Sequence, residues 1–256
     1  MNNKIHIPSC RSVLFIITGV SNAADLNVII DNINAQKNIT KNIVVVTDSA
    51  INIDLISNHQ NSKLSLHLIR HEDLTVSLLN IIRGSQEEYV SFWFKNQWSH
   101  TNRIELQLKQ VERTYKLVCI LNYTLMYDVE LDIAAVSPRF LNFTTALWEK
   151  QYLYHLGHEG IQLAIGKNLD VSPDALKKLS PLAMPYLMIN FDEYECRSRA
   201  PYYQYLWDSF IPVDEKLSAL IRKVKDVNIN TDKLSKSLGA AKAIIEYSLS
   251  RGNVFL

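Results

Sequence analysis

Five short apolar runs separated by helix-patterned segments confine the first half of this chain to a layered α/β fold. The runs are residues 13–19 (VLFIITG), 43–47 (IVVVT), 64–69 (LSLHLI), 89–94 (YVSFWF) and 115–121 (YKLVCIL). Helical spacing fills the gaps at 23–36, where Leu26, Ile29, Ile30 and Ile33 form one stripe, and at 51–59, 73–83 and 102–114. Strands that read as continuous apolar segments, rather than alternating ones, are covered on both faces. The expectation is a five-stranded, doubly wound parallel sheet with receiver-like topology over residues 1–135.

In such a sheet, ligands bind beyond the carboxyl ends of the strands. The residues there are Thr18, Gly19, Val20 and Ser21, then Thr47, Asp48 and Ser49, then Arg70, His71 and Glu72, then Lys95 and Asn96, and last Asn122 and Tyr123. Thr18, Ser21, Asp48, Arg70 and Asn122 are taken as the candidate ligand pocket, with Asp48 and Ser21 also suited to capping the following helices. No GxGxxG, GxxxxGK[ST] or GxSxG occurs, and there are 7 glycines in the whole chain. Phosphate cradles built on such motifs need glycine for close backbone approach, so weight shifts away from a nucleotide-dependent enzyme. A phospho-accepting receiver would need paired acids after its first strand and a lysine after its fifth, whereas Thr-Gly and Asn-Tyr stand there. The domain is therefore read as a non-catalytic sensor of a signal or partner, with no catalytic residue, no metal and no cofactor assigned. His155 and His158 stand at i and i+3 with glycines around them, which gives at most two ligands.

The C-terminal 21-residue stretch KLSKSLGAAKAIIEYSLSRGN, residues 233–253, carries a second pattern. Leu234 and Leu238 lie four apart, Gly239 follows, and Ile245 and Leu249 again lie four apart. A continuous amphipathic helix capped at Thr231 or Asp232 and ended at Gly252 fits much of this. Gly239 favours a turn, because glycine within one helix costs about 1 kcal/mol relative to alanine. The order resembles the helix-turn-helix of phage repressors and Cro-type proteins. That resemblance implies DNA contacts by Lys236, Ala241, Lys242, Ala243, Glu246, Tyr247 and Arg251. Eight Lys/Arg against five acids from residue 214 onward leave this segment at +3, in a chain whose net charge is +1. So mild a charge implies a homodimer or a partner regulator or RNA polymerase to hold double-stranded DNA.

From Pro138 on, the spacing of Phe143, Leu147, Tyr154, Ile161 and Ile165 is read as helical. The segment 141–199, with Asn142-Phe143-Thr144, Leu163-Ala164-Ile165-Gly166, Leu176, Leu179-Ser180, Met184, Leu187 and Cys196-Arg197, resembles the helical core of the flagellar master regulator subunit FlhD. Pro185 departs from that pattern. The resemblance implies a dimerising helical module at 136–210 that activates transcription with a partner. The amphipathic stretch 214–227 (Leu217, Leu220, Ile221, Val224) is expected to pack behind the helix-turn-helix at 211–256.

The expectation is thus a bacterial transcriptional regulator with an all-α C-terminal half. Two alternatives stay open. One is a nucleotide-sugar-dependent transferase using Asp48 and the 18–21 turn; the other is a protein-assembly component. Hydrophobic residues at 47% allow a sizeable core. Three widely spaced cysteines suit a reducing cytoplasm, and no apolar run approaches the ~20 residues of a membrane span.

Overall fold

β-branched runs that are buried on both faces must pair side by side, so that helices can cover the sheet above and below. The structure, a computed structural model, describes residues 11–47, 63–68, 74–128, 133–137, 141–167, 171–192, 211–212, 215, 219 and 221–222. Its first elements are β1 (Arg11–Thr18), α1 (Ala23–Asn34), β2 (Ile39–Thr47), β3 (Lys63–Leu68), α2 (Leu74–Gly84), β4 (Tyr89–Trp93) and β5 (Gln97–Ser99). Then come α3 (Arg103–Thr114), β6 (Val118–Leu121), β7 (Leu125–Asp128), β8 (Ile133–Val136), β9 (Asn142–Glu149) and α4 (Lys150–Ala164). The series closes with α5 (Pro173–Lys177), β10 (Leu179–Leu182), a 3-10 turn at Pro185–Leu187, β11 (Met188–Asp192) and β12 (Ile211–Pro212).

Seven strands form the larger sheet in the order β10-β6-β9-β4-β1-β2-β3. The chain moves outward from β1 to β2 to β3, then returns to place β4 on the other side of β1. Right-handed crossovers then force α1 and α2 onto opposite faces. Alternate β1 side chains feed two cores: Val13, Phe15 and Ile17 meet α1 and α3, whereas Leu14 and Ile16 meet α2 and α4. Each fully buried Leu, Ile or Phe contributes about 1.5–3 kcal/mol. The second sheet has five strands, β12-β8-β7-β11-β5. Since β4 runs into β5 and β6 into β7, this smaller sheet grows from the carboxyl edge of the larger one.

The sheet is mixed, which corrects the expected five-stranded parallel, receiver-like fold. β9 lies antiparallel between β4 and β6. Its register with β6 shifts between Cys119 and Leu121. Thr145 fills the gap: its Oγ1 accepts from Leu121 N at 2.9 Å and donates to Asn142 O at 2.6 Å. The hydroxyl thus stands in for a missing ladder partner, which a buried backbone N–H requires.

The C-terminal half is not all-α. Residues 142–149, the supposed start of the FlhD-like helix, form β9, whose β-branched Thr144-Thr145 pair suits a strand. Glu149 then caps α4, its carboxylate accepting from Gln151 N at 3.1 Å and Tyr152 N at 2.6 Å. The LSPLAMPYLM segment is likewise β10 and a 3-10 turn. Pro181 fits β10 because that strand is the sheet edge, where a missing donor is tolerated. Ile221, expected behind the helix-turn-helix, is buried in the core shared by α1 and α3. The resemblance to FlhD is corrected accordingly. The helix-turn-helix pattern itself lies outside the described residues.

Thr145→Val keeps the shape of the side chain and removes the bridging oxygen. It is expected to lower stability by about 1–3 kcal/mol, because Leu121 N is left buried without an acceptor. Urea unfolding of both proteins measures this, and an unchanged midpoint contradicts the bridging role.

Candidate functional site

The strand order reverses at β1 and β4, and loops leaving the carboxyl ends of such a pair run in opposite directions, which is where an open α/β sheet places a ligand crevice. After β1 the chain turns on Gly19, at φ +72, where a Cβ would meet no atom but the backbone itself disfavours a side chain. Thr47, at the end of β2, donates its hydroxyl to Val20 O at 2.9 Å and pins the turn from below. Asn22, not Ser21, caps α1: its Oδ1 accepts from Asp25 N at 2.8 Å. Ser21 is left exposed at the lip of the turn.

Across the crevice, β4 ends at Trp93 and continues through Phe94, exposed Lys95 and Asn96 into β5. Asn96 adopts φ +60, and its carbonyl accepts from Phe191 N at 2.8 Å, which anchors the loop to β11. Phe94, Lys95, Asn96 and Gln97 include no carboxylate, so this loop offers a cation and amides to a ligand. At the end of β6, Asn122 is buried; its N–H donates to Leu182 O at 3.4 Å, while its Oδ1 has no hydrogen-bond partner among the described residues. Buried polar atoms are nearly always paired, so this oxygen is a group awaiting a donor.

Of the sequence-derived pocket residues, Thr18 is buried at the end of β1, Ser21 is exposed beside it, and Asn122 is buried two strands beyond β4. Asp48 and Arg70 lie outside the described residues, as do Lys236, Ala241, Lys242, Ala243, Glu246, Tyr247 and Arg251. His100 is a buried packing residue. Its Nδ1 accepts from Asn102 N at 3.1 Å, and its ring lies edge-on to Trp98 and Tyr186. Gly157, at φ +58, interrupts α4 between His155 and His158, so the two do not share one helical face. Among the described residues no group of three or more His, Cys, Asp or Glu could hold a metal.

Sequence reasoning missed a buried cation directly behind the β4 carboxyl end. Arg103, 1% exposed, donates through Nε to Gln107 Oε1 (3.3 Å), through Nη1 to Ser99 Oγ (2.7 Å) and through Nη2 to Thr145 O (2.9 Å). Its guanidinium carbon lies 5.2 Å from the Trp93 ring centre. Every one of these acceptors is neutral. Burial pushes the guanidinium down to about 9, which leaves it protonated at neutral pH. Gln107 completes the hub by donating to Cys119 O at 3.0 Å and Thr145 O at 2.9 Å. The spacing of Arg103 and Gln107 with Ile104, Leu108 and Val111 on one helical face was a readable signal. Cys119 is buried beside this hub, and burial pushes its thiol up to about 12, so it is no nucleophile.

Two shallow grooves of about 600 and 620 Å³ flank α4 and share His155. Both lie against the second core, not at the strand ends. They are open surface between helices, whereas the crevice is set by topology and by polar groups, so the latter is preferred as the site.

The sequence matches no protein-family profile and no curated protein. Among solved structures, the chain is similar to S. aureus TarS, with 12% identity over 71% of this chain and 37% of that one, at TM-score 0.47. The 1–349 portion of TarS in complex with UDP gives 12% identity over 72% of this chain and 61% of its own, at TM-score 0.49. Its complex with UDP-GlcNAc gives 12% identity, 72% and 59%, at TM-score 0.46. The chain therefore spans less than two thirds of these structures' length. Strands β9, β10 and β11 stand where the helical dimerisation module was expected, and the reading as a DNA-bound regulator acting with a homodimer partner, another regulator or RNA polymerase is corrected accordingly. Among the described residues no helix is long and apolar enough to cross a membrane.

Gly19→Ala is expected to cost about 1–2 kcal/mol, the price of a left-handed backbone for an L-residue. Gly84→Ala, at the end of α2 with ordinary φ and open space, serves as the control and is expected to be neutral or stabilising. Equal midpoints for the two variants in urea would remove the constraint at the β1 turn.

Proposed function

We propose that this chain binds the nucleoside-diphosphate part of a sugar nucleotide in the crevice between β1 and β4, as the donor site of a transferase. The observation that carries this reading is the reversal of strand order at β1/β4, with an exposed glycine–serine turn on one side and exposed Lys95 on the other. A diphosphate needs positive charge and donors at close range. Lys95 supplies a charge, and the short Gly19–Ser21 turn permits backbone approach. Asn122 Oδ1 is an acceptor suited to a sugar or ribose hydroxyl or a base amine. Thr18, Ser21 and Asn122 are the described members of the proposed pocket. Asp48 and Arg70 join it from the sequence, as they follow the ends of β2 and β3.

A divalent cation bridging protein and diphosphate is ordinarily held by one or two carboxylates. The loop after β4 offers none, so Lys95 is assigned the charge-neutralising role there. A cytoplasmic location belongs to the same proposal, since activated sugars are intracellular metabolites and the three dispersed cysteines suit a reducing compartment.

A thermal-shift and calorimetric series with UDP, ADP, GDP, uridine and UDP-GlcNAc tests this. A true ligand at 100 times its Kd adds about 2.7 kcal/mol to stability. The diphosphates are expected to bind more tightly than the nucleoside, and Lys95→Glu is expected to weaken them at least about tenfold by reversing the charge. Absence of any nucleotide-dependent shift at millimolar concentration overturns the proposal.

A further inference from the structure

Burying an arginine without a carboxylate is costly, because desolvation is not offset by a counter-charge. Among the described residues Arg103 has no carboxylate partner, and it lies next to the last residue of β4. Its guanidinium donates to a serine hydroxyl, a glutamine amide oxygen and a backbone carbonyl, and its face lies against Trp93. Those partners satisfy hydrogen bonds but leave the full positive charge intact inside a low-dielectric wall. Trp93 pairs with Ile17 of β1, one residue before Thr18. The charge thus sits beside the strand end that forms one lip of the crevice and one strand away from the other, where burial excludes the water that would screen it.

Resting on the nucleotide reading above, we propose that Arg103 is an electrostatic positioning residue: its uncompensated buried charge makes the crevice prefer the diphosphate over the neutral nucleoside. It does so without touching the ligand, through the field it projects past Trp93 and Ser99. Lys95 meets the anion at the surface; Arg103 supplies the part of the attraction that salt does not screen. The alternative is that Arg103 only staples β5, α3 and β9 together. That role would affect diphosphate and nucleoside alike.

Ser99 gives a way to remove the charge without removing the arginine. Its Oγ accepts from Arg103 Nη1 at 2.7 Å and its side chain is fully buried, so Ser99→Asp puts a counter-ion beside the guanidinium. Ser99→Asn has the same shape without the charge. Affinities for UDP and uridine are measured by calorimetry in the full chain with each variant, at low and high salt. The expected result is that Ser99→Asp lowers the UDP-to-uridine affinity ratio about tenfold relative to Ser99→Asn, a change of the size a unit charge exerts across ~10 Å of protein. The part of the ratio that persists at high salt should fall most. Arg103→Gln should fall in the same direction wherever circular dichroism shows it folded. Equal ratios in Ser99→Asp and Ser99→Asn overturn the role of the charge while leaving nucleotide binding intact. A wild-type chain that binds neither ligand overturns the underlying reading, and with it this inference.

Discussion

The antiparallel insertion of β9 between β4 and β6 is the constraint on which the remaining architecture depends. It separates strands that would otherwise neighbour one another in a parallel sheet, and it brings Thr145 to the centre of the molecule. From there one threonine serves two purposes. Its hydroxyl repairs the register shift against β6, and its carbonyl receives both Arg103 and Gln107. Without that strand Arg103 and Gln107 would lose the carbonyl they share.

A second set of polar contacts ties the first helix to this hub. Asn32 makes a two-way pair with the Ser99 backbone at 2.8 Å in each direction, and Gln36 both donates to His100 O and accepts from Ile104 N. The first turn of α3 is therefore capped from α1 and not from its own Asn102, which makes no side-chain cap. Low dielectric strengthens such networks when every member is paired. The consequence is that β5, which closes the crevice on one side, is held by α1, α3 and β9 together. Exposed ion pairs such as Arg11 with Glu88 and Glu112 contribute far less, since solvent screens them.

Much of this was legible in the sequence, and the failures have physical causes. Strands β1 to β4 stand where short apolar runs stand, because a strand packed within a layered sheet draws on a composition that loops seldom share. The strand ends marked Thr18, Ser21 and Asn122 for the same reason. β9 was hidden because Phe143 and Leu147 lie four apart, which also satisfies a helical stripe; the Thr-Thr pair between them was the better guide. β10 was hidden by Pro181, which an edge strand tolerates, and by Pro185 in the 3-10 turn that follows. Antiparallel insertion itself has no sequence signature, since pairing is decided by partners far along the chain. Arg103 was overlooked because a cation in the first turn of a helix reads as a solvated end, although it shares the buried face of Ile104, Gln107, Leu108 and Val111.

The central claim is that the β1/β4 reversal, not the helical surface around α4, is where a ligand binds. Hydrogen–deuterium exchange with and without saturating UDP tests it most directly, because protection maps along the backbone. The account expects slowed exchange at residues 19–22 and 95–97, on the two lips of the crevice. Protection confined to α4 and its flanking grooves, with those two segments unchanged, would contradict it.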